Sequence, residues 1–238
     1  MNDNLNRLFS SSVRISELNP FHPDAVFPAN IELVITRVPI RKRDGYDEQM
    51  MHDLAAKLKS SMVKNGLVFL ICYAPVEEKS RPFQVAQAMT KAGFNHIDNI
   101  VVQKTWYPGK RSEINLVNSH EYVLYFCNGS VWNLDRLPIR HYLKTDDAIS
   151  CPGNTWRIET GSLDESVSPD LAELLMRMTD SLPGSLVLDP FMGNSSTLKA
   201  AMKLGHSFVG FESDLKKMAQ YEKIINDVKQ RIRHENEG

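Results

Sequence analysis

One stretch narrows the folds open to this chain more than any other: Ser185-Leu-Val-Leu-Asp189-Pro-Phe-Met-Gly193-Asn-Ser-Ser-Thr197. An apolar run stops at an acid, a turn of proline, glycine and small polar residues follows, and a helix opens at Ser196. Phe208-Val-Gly-Phe-Glu-Ser-Asp214 then supplies a second apolar run tipped by Glu212, fifteen residues beyond Thr197. Strand, tight turn, helix and strand make a βαβ unit, and an acid at the tip of its second strand is the pattern of a nucleoside-binding crevice. Asp189 can accept hydrogen bonds from a ligand amine or from loop amides. Gly193 lets the backbone turn and approach a ligand closely. Glu212 can take both hydroxyls of a ribose.

The rest of the chain repeats this alternation. Ile31–Thr36 and Leu67–Tyr73 are β-branched and apolar, hence buried strands. Apolar residues at helical spacing between them predict a helix over 47–64, closed by Asn65-Gly66. A helix over 81–92, strands over 97–102 and 121–127, and a helix over 170–181 follow; a helix over 196–204 and a terminal one over 214–234 close the list. Residues 1–30 are polar and broken by Pro20, Pro23 and Pro28, which predicts an irregular arm ahead of a domain over 31–238. Residues 130–165 carry few regular signals. Alternation of this kind predicts a single α/β domain, a Rossmann-like, mainly parallel sheet with helices on both faces.

Composition excludes some functions. The net charge is -1, so nucleic acid would have to be met by local patches. Cys72, Cys127 and Cys151 are far apart, which argues against a disulfide framework or zinc site, and the histidines show no metal-ligand spacing. No stretch approaches the ~20 apolar residues that span a bilayer, and Met1-Asn-Asp-Asn is not a signal peptide. A cytoplasmic protein without a membrane partner is the expectation.

The loop at 189–197 resembles the cofactor loop of S-adenosylmethionine (SAM)-dependent DNA amino-methyltransferases, which reads Asp-Pro-Phe-x-Gly-Ser-Gly-Thr. The order of elements is similar to the group of N6-adenine and N4-cytosine enzymes whose catalytic strand comes early and cofactor loop late. Ile31–Thr36 resembles the strand leading into their catalytic tetrad, and Ser119-His-Glu-Tyr-Val-Leu-Tyr125 resembles their Thr-His-Glu-Tyr-Ile-Leu. Ser166 and Pro169 fall on the Thr and last Pro of their His-Pro-Thr-Gln-Lys-Pro. The resemblance implies SAM as cofactor, held by Asp189, Phe191, Gly193, Asn194, Ser195, Ser196, Glu212 and Ser166. Ser195 stands where the family has a glycine, and Val167 and Ser168 where it has Gln and Lys.

The tetrad departs further. Where the family reads Asp/Asn-Pro-Pro-Tyr/Phe, this chain reads Arg37-Val38-Pro39-Ile40. In the resembled enzymes the first side chain accepts a hydrogen bond from the target amine, and the aromatic ring stacks on a flipped base. Arg37 has donors and no acceptor. Its charge is expected near the sulfonium of SAM, a repulsion on the order of 1–4 kcal/mol at ~4 Å if unpaired. Ile40 forfeits base stacking worth roughly 1–3 kcal/mol.

Arg37, Arg41, Lys42 and Arg43 form a basic cluster at the expected mouth of the site; Lys104, Trp106, Tyr107, Lys110 and Arg111 form a second one with aromatics interleaved. Such clusters suit phosphates and unstacked bases. Two readings follow. One is a catalytically degenerate methyltransferase-family protein acting as a DNA-binding or partner subunit, as a homodimer or beside an active methyltransferase-type subunit. The other is an active DNA N6-adenine or N4-cytosine methyltransferase with an atypical site, in which Asp44, Tyr46 or Asp47 supplies the acid and the aromatic.

Overall fold

Apolar runs long enough to bury a strand on both sides fix the centre of the molecule. Leu33, Val34 and Ile35 are all fully buried, as are Val68 through Cys72. The structure, a computed structural model, describes residues 12–39, 47–74, 79–104, 119–143, 153–158, 167–179, 181 and 183–237. In chain order these form β1 (Val13–Ser16), β2 (Ile31–Arg37), α1 (Glu48–Ser61), β3 (Met62–Cys72), α2 (Arg81–Lys91), β4 (Asn95–Lys104) and β5 (His120–Cys127). Then come α3 (Leu137–Leu143), β6 (Thr155–Ile158), α4 (Pro169–Met178), β7 (Leu186–Asp189), α5 (Ser196–Lys203), β8 (Ser207–Phe211) and α6 (Leu215–Glu237).

The strands make one eight-stranded sheet in the order β1-β8-β7-β2-β3-β5-β4-β6. Every neighbouring pair is parallel except those of β5, which runs against both β3 and β4. Helices cover both faces, as the alternation predicts. Met51, Leu54, Ala55 and Leu58 of α1 and Val85, Ala88 and Met89 of α2 pack on one face. Leu171 to Met178 of α4, Leu198 to Met202 of α5, and Tyr221 of α6 pack on the other. Two layers of helix around a sheet leave no polar face, which is why the central strands read as continuous apolar runs.

Three expectations are corrected. The segment before residue 31 is not wholly an irregular arm. Val13–Ser16 is an edge strand paired with Phe208–Phe211, and Ala25 and Phe27 are core residues. Four residues carry too little periodicity to be read as a strand. Asn65-Gly66 does not close α1, which ends at Ser61. Asn65 takes the left-handed φ of 67° that such a cap needs, but inside β3, where the β2–β3 register shifts. Its amide donates to Asn128 O at 3.0 Å, and the Asn128 amide returns a bond to Gly66 O at 2.8 Å. The same conformational signal serves a bulge as well as a helix end. Within 130–165, finally, α3 and β6 are regular elements; β6 is only four residues long and hides two of them, Trp156 and Ile158.

Among the described residues, no helix is long and apolar enough to cross a membrane. Because β1 pairs with β8, deleting residues 1–16 should cost on the order of 2–4 kcal/mol from lost ladder bonds and half-buried side chains. A urea titration reads this, and an unpaired arm would leave the midpoint where it was.

Candidate functional site

The sheet order places a crevice between β7 and β2. The connection from β7 runs through α5 to β8 on one side, and that from β2 runs through α1 to β3 on the other. At such a reversal the loops leaving the two strands part, and ligands bind there beyond the carboxyl ends. Asp189 ends β7 and Arg37 ends β2, so the loop residues and the tetrad positions flank one crevice.

Asp189 is 1% exposed. Its Oδ1 accepts from the Thr36 hydroxyl at 2.5 Å and from the Phe191 amide at 3.1 Å. Its Oδ2 is buried and completes no hydrogen bond with the protein. Burial pushes the carboxyl up to about 6; the Thr36 and Thr197 hydroxyls and the Phe191 amide pull against that rise. The loop beyond is internally tied. Asn194 Oδ1 accepts from the Ser196 hydroxyl at 2.8 Å and the Ser196 amide at 3.2 Å, while its amide group donates to Val167 O at 3.4 Å. Ser195 adopts φ 65° and ψ 17°, the left-handed conformation, and its hydroxyl turns back to the Asn194 carbonyl. A Cβ costs about 1 kcal/mol in that conformation, which glycine avoids. Met192 lies against Gly210 of β8, where an added Cβ would meet Met192 Sδ at 2.2 Å.

Glu212 follows β8, its amide held by Ser16 O at 3.0 Å. One carboxylate oxygen accepts from the Asp214 amide at 3.0 Å, and the other from Tyr221 Oη at 2.9 Å with Lys217 Nζ at 3.4 Å. Tyr221 Oη also lies 2.8 Å from Gly193 O, so one phenol joins the loop to the strand tip. Burial first, and then the Glu212 charge, raise the Tyr221 hydroxyl above its ordinary range.

Arg37 is 5% exposed and pairs with Glu121, 2% exposed, at the start of β5. This corrects the expectation that its charge faces a cofactor's sulfonium or joins the basic cluster at the mouth. The guanidinium is turned across β3 and neutralised inside the molecule. Arg81, also buried, donates from Nη1 to Pro39 O at 3.1 Å. Between them Cys72 is pushed up to about 12 by burial, with the Arg81 and Arg37 charges opposing the rise; it is an inert thiol.

A family model described as DNA methylase, of the N6/N4 type, matches residues 41–223, more than half of the chain. The chain belongs to the N6/N4 DNA methylase family. M1.HpyAVI in its SAM complex is 17% identical with a TM-score of 0.64, over 89% of this chain and 98% of that one. The PvuII DNA methyltransferase, cytosine-N4-specific, is 17% identical with a TM-score of 0.68, over 86% and 83%. TTHA0409 of Thermus thermophilus, complexed with S-adenosyl-L-methionine, is 18% identical with a TM-score of 0.61, over 87% and 90%. At such identities the likeness is one of fold: the single Rossmann-like α/β domain of methyltransferases. No curated protein matches the chain.

Within this methylase fold, Asp189, Phe191, Gly193, Asn194, Ser195, Ser196 and Glu212 come together around the crevice, with Arg37 and Pro39 across from them. Ile40, Arg41, Lys42, Arg43, Asp44, Tyr46, Trp106, Tyr107, Lys110, Arg111 and Ser166 lie outside the described residues, although Val167 beside Ser166 touches Asn194. Asp47, a candidate acid, is instead the N-cap of α1, accepting from the Met50 amide at 2.7 Å. Thr36, Tyr221, Arg81 and Glu121 were not singled out from sequence. A lone acid in the strand run Glu121–Cys127 was the one usable signal, since a carboxylate buried in a sheet requires a partner.

Two predictions test this geometry. The folded carboxyl of Asp189 holds its proton more tightly than the ordinary value of 3.8. Its stabilising contribution is therefore whole below that value and is lost as pH rises through about 6. Asp189→Asn keeps an acceptor for Thr36 and cannot ionise. From about pH 3 to 7 its stability, by chemical denaturation, should gain about 2–3 kcal/mol on the parent. Arg37→Met leaves Glu121 buried without its ion-pair partner and should cost about 3–5 kcal/mol, most of it recovered in Arg37→Met/Glu121→Leu.

Proposed function

We propose that this family member binds SAM at the Asp189–Glu212 crevice and serves as a nucleic-acid-binding or partner subunit without transferring methyl groups itself. The Arg37–Glu121 ion pair carries the reading. In the resembled enzymes the first tetrad position offers an oxygen that orients the target amine. Here that position holds a guanidinium, the nearby Glu121 carboxylate is engaged by it, and the Pro39 carbonyl is engaged by Arg81. An exocyclic amine arriving at this end of β2 meets a guanidinium where the resembled enzymes offer a side-chain acceptor.

The residues at the crevice fit the cofactor. Asp189 Oδ2 is a buried acceptor with no hydrogen bond, which a ligand amine or hydroxyl satisfies. Glu212 Oε1 meets only the Asp214 amide and keeps a lone pair for a ribose hydroxyl, while Oε2 already meets Tyr221 and Lys217. SAM would supply an electrophilic methyl group on a sulfonium. The protein's own residues hold and orient it: Asp189 and Glu212 by hydrogen bonds, Gly193 and Ser195 by the turn that keeps the loop open. M1.HpyAVI and TTHA0409 are both described in complex with SAM, which supports the assignment.

DNA is the proposed partner, contacted through Arg41, Lys42, Arg43, Trp106, Lys110 and Arg111, with a second copy or an active methyltransferase-type subunit alongside. Family membership and the interleaved basic and aromatic residues support this. Calorimetric titration with SAM, followed by transfer of labelled methyl groups to DNA, tests the whole. The expected result is micromolar SAM binding lost in Glu212→Ala, DNA binding that weakens with salt, and no label on DNA. Label on adenine or cytosine amines, abolished by Asp189→Ala, establishes the active-enzyme reading instead. No SAM binding at millimolar ligand overturns the cofactor assignment.

A further inference from the structure

The segment between β1 and β2 touches the cofactor crevice twice. Phe21 packs on Phe191 of the loop after β7, with ring centroids 5.4 Å apart and planes tilted by 46°. Phe27 packs on Phe211, the residue before Glu212, at 5.1 Å. The two structures that would hold a nucleoside are thus each backed by an aromatic ring from the same short stretch.

That stretch is itself pinned from the far side of the chain. Lys57, half-buried on α1, directs its ammonium at three backbone carbonyls: Pro20 O at 3.2 Å, His22 O at 3.0 Å and Ala25 O at 3.4 Å. An ammonium has three protons and no acceptor, so this arrangement uses its full donor capacity. The segment also folds on itself, with the His22 amide on Asn19 O at 2.8 Å and the Ala25 amide on His22 O at 3.0 Å. A loop with its own turns, tied down at one point, can transmit a fixed position; an untied one cannot.

We infer that Lys57, through the segment 19–27, is a positioning residue for the cofactor loop: it sets Phe21 and Phe27 as the wall against which Phe191 and the Glu212 tip rest. Among the described residues, the hydrogen bonds of Lys57 go to this segment and not to the crevice or to Arg37, Val38 or Pro39. Its effect passes through backbone carbonyls to two rings. Arginine at this place would not reproduce it, because a planar guanidinium spreads its donors in a fork instead of converging three from one nitrogen. The inference takes from the proposed function that the crevice holds SAM, but the positioning itself can be read without ligand.

The experiment compares hydrogen exchange in the parent, Lys57→Met and Phe21→Ala. The amides of Phe191, Met192 and Ser195 are the probes, bonded to Asp189 Oδ1, Phe211 O and Met192 O. Amides of Val68–Ile71 in the sheet centre are the control. Both variants should speed exchange at the probes by about tenfold, as expected when charge-assisted bonds or ring contacts that hold a loop are lost, and leave the control unchanged. SAM affinity, measured alongside, should fall by a similar factor. Probe exchange equal to the parent's in Lys57→Met overturns the inference, whatever Phe21→Ala does. Faster probes in a protein that binds no SAM leave the positioning intact and sink the cofactor assignment alone. Should Lys57→Met speed the control as well, Lys57→Arg, which keeps the charge without converging three donors from one nitrogen, decides: faster probes support the inference and parent-like probes overturn it.

Discussion

A guanidinium buried as deeply as that of Arg37 calls for a counter-charge, and the end of the sheet where β2 finishes is organised around that requirement. Taking a charge out of water costs several kcal/mol, offset only by a close partner of opposite sign. Arg37 finds that partner in Glu121, across the intervening strand β3. The pair settles where the arginine points. A side chain that would otherwise bring positive charge to the crevice is folded under, and Glu121 is engaged in holding it.

The other side of the crevice tells a complementary story. Asp189 is kept in a place where ionisation is disfavoured, with one oxygen satisfied by Thr36 and Phe191 and the other left bare. Thr36 is the residue just before Arg37, so a single hydroxyl ties the cofactor-type loop to the altered tetrad. A buried acceptor without a hydrogen bond and a left-handed serine both cost stability, and both sit at this one crevice.

Much of this was legible in the sequence. The loop from Asp189 to Thr197 and the acid Glu212 announce their own geometry, because turn residues and strand tips are local features. The sheet was legible for a similar reason: strands buried on both faces are apolar throughout. What escaped was decided by distance along the chain. Arg37 and Glu121 are 84 residues apart, and nothing near Arg37 says that an acid waits for it. Strand β1 escaped because its partner, β8, comes at the other end of the chain and its own four residues have no pattern long enough to read. Tyr221 looked like one more aromatic in a charged helix, and only the folded chain shows its hydroxyl between Gly193 and Glu212.

Strand β5 runs against its neighbours, and that reversal brings its first residues to the edge where the parallel strands finish. Along β5, Val123, Tyr125 and Cys127 lie on the face covered by α4 to α6, and Glu121 keeps their phase; Leu33 and Ile35 set the same phase for Arg37. A slip of β5 by a single residue would carry Glu121 to the opposite face and strand the arginine in an apolar layer. An apolar strand by itself discriminates poorly between neighbouring alignments, since every alternative still buries hydrocarbon. The ion pair therefore acts as a proofreading mark for strand alignment, admitting one pairing of β3 with β5 and penalising its neighbours heavily.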